Sequence, residues 1–177
     1  MNTHQILFLI INTVGGPLVL LSYVLGLKAG KSAVILWGGT PKKIRGVYTI
    51  SMLISAISFL ITSVFIFLII KDPNILLPYS LSMSIFNILY TILLLCSAIW
   101  IPLVNRIVNK PSKFVWLSIR LGLIFVGLSA LGILMLLIGI TPQPTTLIYW
   151  ISIAGMGIFF IHTGILDAFL WPYFWKK

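Results

Sequence analysis

Chemistry in a protein needs side chains that move protons, attack carbonyls or hold metals, and this sequence offers few: two aspartates, no glutamate, two histidines and one cysteine in 177 residues. Asp72 sits in the turn-forming run KDPN, where a short carboxylate serves turn chemistry. Asp167 is different, because it falls inside an otherwise apolar stretch about four residues before Trp171. A carboxylate at such a place is costly and is held by a partner, which makes it a candidate site by default. Arg120 is the expected partner and Arg45 the next, either in a structural ion pair or in proton or substrate handling. His162 lies five residues earlier, roughly 140° around an α-helix from Asp167, so no His–Asp dyad is expected, whereas Thr163 and Asp167 share a face. His162 is a possible polar site and reads first as a hydrogen-bonded packing residue. His4 lies at the far end of the chain, so neither a bis-His haem nor a three-ligand zinc site is expected.

The run AGKS, ending in Lys31 and Ser32, invites comparison with a phosphate-binding loop. That loop needs glycine five residues before Gly30, and Leu25 stands there. The Gly-x-Ser-x-Gly, HExxH and Cys-x-x-Cys signatures are absent, as is any acidic cluster that could hold Mg²⁺. No catalytic residue, cofactor or metal is therefore expected, and the balance leans away from an enzyme. Cys96 lies in an apolar run, which rules out an intrachain disulfide framework.

The elements that must position these residues follow from composition. The chain is 60% hydrophobic and 8% charged, against about a quarter charged in soluble domains. Its mean hydropathy is +1.16. The expected class is an all-α integral membrane bundle, because a helix needs about 20 apolar residues to cross a hydrocarbon core of about 30 Å. Five stretches meet that length, at about 5–27, 46–70, 79–104, 114–140 and 146–171, in a single transmembrane domain spanning 1–177. Apolar MNTHQ-led sequence followed by basic residues, without a small-residue cleavage site, gives no sign of a cleaved signal peptide.

The net charge of +10 would suggest nucleic acid in a soluble protein, but no polar domain exists to present it, and no nucleic acid is expected. Of the twelve basic residues, only Lys71 falls on the opposite side of an alternating five-span chain. The other eleven mark the cytoplasmic face by the positive-inside rule, which puts the N-terminus outside and the C-terminus in the cytoplasm, with the cell (inner) membrane as the expected location. Lys28, Lys31, Lys42 and Lys43 are expected to meet an anionic leaflet at about 1 kcal/mol each. The patch AVILW at 33–37 is expected at the interface. Trp37, Trp100, Trp116 and the tail LWPYFWKK are expected as headgroup anchors.

Two spans carry polar stripes at the same helical spacing: Ser51, Ser55, Ser58 and Thr62 in the second, Ser80, Ser84, Asn87 and Thr91 in the third. Asn12, Gly15, Ser22 and Gly26 line the first span, and Gly122, Ser129, Gly132 and Gly139 the fourth. Such faces avoid lipid, either as close-packed and hydrogen-bonded helix contacts or as the lining of a ligand cavity or solute path. Asn12 and Asn87 are the members to watch, and Pro17 after Gly15–Gly16 is placed to kink the first span.

In size, number of spans, aromatic richness and basic side, the chain resembles the tryptophan-rich sensory protein (translocator protein) family, whose bundle binds tetrapyrroles and sterol-like ligands. LWGGTPKKIRG departs from that family's Lys-Pro-x-Trp-x-Pro-Pro loop, SIFNILYTILLL departs from its Trp-rich third span, and no residue carries over. The resemblance is one of outline. The expected function is a non-enzymatic multi-pass protein that binds a small apolar ligand within its bundle or serves as an accessory subunit of a membrane complex, and a homo-oligomer is compatible with either. The alternative is a small transporter with a Ser/Thr/Asn-lined path and Asp167 as its coupling residue; an odd number of spans without inverted halves weighs against it unless the protein dimerises.

Overall fold

The computed structural model describes residues 1–29 (Ala29 in its backbone only), 36–70, 72 and 74–175. Lys31, Lys71, Lys176 and Lys177, and most of the 33–37 patch, lie outside the described residues. Helices form where the apolar runs are long: α1 (Thr3–Ala29), α2 (Lys42–Ile69), α3 (Ser84–Asn109), α4 (Lys113–Ile138) and α5 (Leu147–Phe160). The last continues without a break through a π-helical segment, Ile161–Leu170, into a final turn, α6 (Trp171–Phe174). Taken with its continuation, α5 completes a set of five helices long and apolar enough to cross a membrane.

One helix start moves inward from its expected place. The third span starts at Ser84 rather than at 79, because Pro78–Ser80 forms a 3₁₀ turn in which Tyr79 and Ser80 take φ of 57° and 55°. Positive φ is incompatible with helix propagation in L-residues, so Ser80 leaves the expected stripe. The helix α1 runs through Pro17 as one assigned element.

Neighbouring helices close around small residues. Gly15 of α1 lies against Leu94 of α3, Gly132 of α4 against Leu89, and Gly155 of α5 against Ser58 of α2. At Gly127 of α4 the π segment approaches so closely that an added Cβ would stand 2.7 Å from the Gly164 Cα. The chain of contacts runs from α1 to α3, α3 to α4, α4 to α5 and its π continuation, and α5 to α2. Its two ends, α1 and α2, touch only sparsely.

The end of the bundle where α1 begins is tied by polar contacts. Asn2 Nδ2 donates to Ile70 O at 3.2 Å and Gln5 Nε2 to Phe67 O at 3.1 Å, while Leu76 and Thr141 pair as an isolated antiparallel bridge. Asp72 Oδ1 accepts from Asn74 N at 2.9 Å and from its Nδ2 at 3.1 Å, which makes an Asx turn. Below it a core gathers Phe65, Ile66, Phe86, Tyr90, Leu137 and Tyr149. A second core at the basic end gathers Tyr48, Val104, Ile119, Leu123, Ala168 and Trp171.

Candidate functional site: a cleft between α1 and α2

The sparse contact between α1 and α2 leaves a cleft of about 760 Å³, bounded by α1, α2, α3 and the α5–π junction. Its walls are apolar, formed by residues such as Phe8, Leu20, Met52, Phe59 and Leu93, with α1 and α2 holding the two edges. Its polar side chains are Asn12, Tyr23, Ser55, Ser63, Ser97, Trp100, His162, Thr163 and Asp167. Among the described residues, no Lys or Arg lines it.

The π-helical segment sets the chemistry of this cleft. In an α-helix, residues five apart diverge; in a π-helix the i→i+5 hydrogen bond stacks them. His162 and Asp167 are five apart, and His162 Nε2 stands 3.5 Å from Asp167 Oδ2. The expectation that these two could not form a dyad is thus corrected: it assumed α-helical periodicity where the backbone is wound more widely. The expected partners are corrected with it. Arg45 donates from Nε to Thr40 O at 3.0 Å and covers the Trp37 ring at 5.6 Å, and Arg120 is exposed.

The imidazole has a second partner, since His162 Nδ1 is 2.9 Å from Ser51 Oγ of α2. Ser51 Oγ also donates to Tyr48 O at 3.0 Å, and a serine hydroxyl has one hydrogen to give. With that hydrogen on the Tyr48 carbonyl, Nδ1 is the donor to Ser51, which leaves Nε2 facing Asp167 Oδ2. The arrangement is a short relay, Ser51–His162–Asp167, whose last member lines the cleft. The Tyr48 hydroxyl donates to Leu166 O at 2.8 Å, bracing the π segment against α2.

The stripe residues separate. Ser55 lines the cleft, and its Oγ is buried with no partner. Asn12 also lines it; Nδ2 donates back to Phe8 O at 2.9 Å and Oδ1 is buried without a partner. Trp100, expected as a headgroup anchor, lines the cleft with an unpartnered Nε1. Three buried orphan atoms therefore belong to cleft-lining side chains, where buried polar groups ordinarily find a partner. The other members face protein. Ser58 abuts Gly155, and Thr62 Oγ1 reaches Ser152 O at 3.4 Å, so both serve the α2–α5 contact. Asn87 Nδ2 donates to His4 O at 3.3 Å and Thr91 Oγ1 to Asn87 O at 2.7 Å, away from the cleft. Ser84 bonds locally, with Oγ donating to Ser82 Oγ at 3.1 Å.

Tyr23, Ser63 and Ser97 are cleft residues that spacing arguments missed. Ser63 continues the Ser55 face two turns on, and that was the available signal; Tyr23 and Ser97 stand alone in apolar runs and gave none. Trp171 differs from a lipid-facing anchor: it is buried, packed edge-on and tilted among Trp100, Trp116 and Trp175, and its Nε1 donates to Leu36 O at 2.9 Å.

No family model, no curated protein and no solved structure matches this chain. The likeness to the translocator protein family thus stays at the level of outline, and the site must be read from its own geometry.

Proposed function

We propose that this chain is a multi-pass membrane protein that holds a small, largely apolar ligand in the cleft between α1 and α2. The observation that carries this reading is the cleft itself: about 760 Å³ is within the range of small-molecule sites, with apolar walls and a few polar groups set among them. The unpartnered atoms of Asn12, Ser55 and Trp100 support it, because a bound hydroxyl, amide or amine would give them partners. Mass spectrometry of the protein released from gentle detergent tests it. A stoichiometric small molecule is expected on the native chain and is expected to be missing from Ala56→Phe, which fills the cleft from α2. Recovery without any small molecule, solely inside a larger assembly, would favour the accessory-subunit reading instead.

In this reading the N-terminus lies outside and the C-terminus in the cytoplasm of the cell membrane. Lys28, Lys42 and Lys43 then meet the anionic inner leaflet, and α1 and α2 present their apolar outer faces to lipid. A cysteine placed at Tyr79, which is 95% exposed, should react with an impermeant thiol reagent from outside, and one at Ser112 only from inside.

The Ser51–His162–Asp167 relay favours a second reading, in which the cleft is one state of a transport path and Asp167 couples solute to proton movement. Proteoliposomes decide between the two. A coupled transporter accumulates solute under a proton gradient and loses that accumulation in Asp167→Asn, whereas a binding protein accumulates none.

A further inference from the structure

Resting on the reading of the cleft as a ligand site, the geometry points to a hydrophobic amine as its ligand, an apolar body between α1 and α2 with its ammonium on the Asp167 carboxylate. The cleft is mostly apolar along the α1 and α2 edges and carries, among the described residues, one acid and one imidazole, Asp167 and His162, at the π-helical end. The described basic residues of the chain, although numerous, contribute nothing to its lining. A carboxylate or phosphate head entering it would therefore meet, among the described residues, one acid and no Lys or Arg. An ammonium meets the opposite situation, because it replaces the imidazole as the partner of Asp167, whose side chain stays 21% accessible beside His162 at 3.5 Å. Elsewhere in the lining the neutral groups suit an N–H donor as well: the Ser55 hydroxyl and Asn12 carbonyl oxygens are unpartnered acceptors. The chain as a whole is strongly cationic, with a net charge of +10, yet none of its described Lys and Arg residues reaches this lining. Apolar volume sets how much of the ligand is buried, and the single carboxylate sets the charge of its head.

The test is competition for radiolabelled dodecylamine on the full chain in zwitterionic nanodiscs, with binding to empty discs subtracted. Unlabelled dodecylamine, dodecanol and dodecanoate share one apolar tail and differ only in the head. A hydrogen bond to a charged group predicts that the amine binds about 10- to 100-fold more tightly than the alcohol, with the acid weaker still. In Asp167→Asn the amine and the alcohol should become equal while tail-dependent binding remains. Equal competition by all three on the native chain, or preference for dodecanoate, would overturn the amine assignment and leave a ligand cleft of another specificity. Amine preference that survives in Asp167→Asn would also overturn it. Absence of any specific binding by all three would reject the cleft as a site for such ligands and, with it, the proposal under the preceding heading. The native-chain series needs no variant, so the result stands even where Asp167→Asn does not fold.

Discussion

Substituting Gly127 by alanine tests how the π segment is held. An ideal Cβ at Gly127 would lie 2.7 Å from the Gly164 Cα and 3.3 Å from its backbone N. Carbon atoms attract best at about 3.5–4.0 Å, so the two helices must separate by about 1 Å. Both clashing atoms are backbone, and no rotamer change relieves them. Overpacking of this kind costs about 1–3 kcal/mol. At about 2–4 °C per kcal/mol for a chain of this length, thermal unfolding in nanodiscs should fall by about 2–12 °C. The same scans on Gly122→Ala and Gly157→Ala supply the reference, because a Cβ at either position meets nothing within 4 Å. Those two should be neutral or up to about 1 kcal/mol more stable, since alanine favours helix over glycine. If Gly127→Ala unfolds within about 0.5 kcal/mol of Gly122→Ala, the close α4–π contact does not exist in the membrane. Displacing the π segment would also strain the 2.9 Å contact between Ser51 and His162, so the variant should bind cleft ligands more weakly as well.

Three further outcomes follow from single contacts. Tyr48→Phe removes only the hydroxyl that donates to Leu166 O at 2.8 Å and should lower stability by about 0.6–2 kcal/mol in equilibrium unfolding. Thr62→Val removes a bond already stretched to 3.4 Å and conserves volume, so the same measurement should change by less than about 0.5 kcal/mol. Exchanging charges in Asp167→Arg with Arg120→Asp should restore none of the stability that Asp167→Arg loses, because His162 is the partner and Arg120 is exposed; full recovery would place Arg120 at Asp167 after all.

The spans were legible because length and hydropathy are local properties, and five apolar runs fix five helices to within a few residues. The start of α3 was not, because Pro78 and the positive φ of Tyr79 and Ser80 override an apolar run that otherwise reads as helix. Stripes identify a face but not its neighbour. Ser55, Ser58 and Thr62 share spacing, yet Ser58 and Thr62 meet α5 while Ser55 meets the cleft, since a stripe wide enough to hold all three spans two packing directions. The His162–Asp167 pair was hidden for a deeper reason. The π winding coincides with the Gly127–Gly164 approach and the Tyr48 bond to Leu166 O, and the partners Gly127 and Tyr48 stand on other helices, far from the pair in sequence.

The cleft and the weak attachment of α1 have one origin. The central window of α1 buries 6% of its residues, against 33–44% in the other four helices, so α1 is held almost wholly through one neighbour. That neighbour is α3, which meets it at Gly15 through Leu94 and at Gly26, whose carbonyl accepts from Asn105 Nδ2 at 3.0 Å. Its contact with α2 is made at its N-terminal end, through Asn2 and Gln5. A helix pinned along one edge and at one end leaves its remaining edge free, and that edge, from Asn12 to Tyr23, is the wall of the cleft. Pro17 lies within this wall and lacks the N–H that would bond to Thr13 O, so the backbone is weakest where the cleft is lined. A ligand entering sideways between α1 and α2 would therefore need to displace only the least anchored helix, while α2, α4 and the π segment keep Ser51, His162 and Asp167 in place.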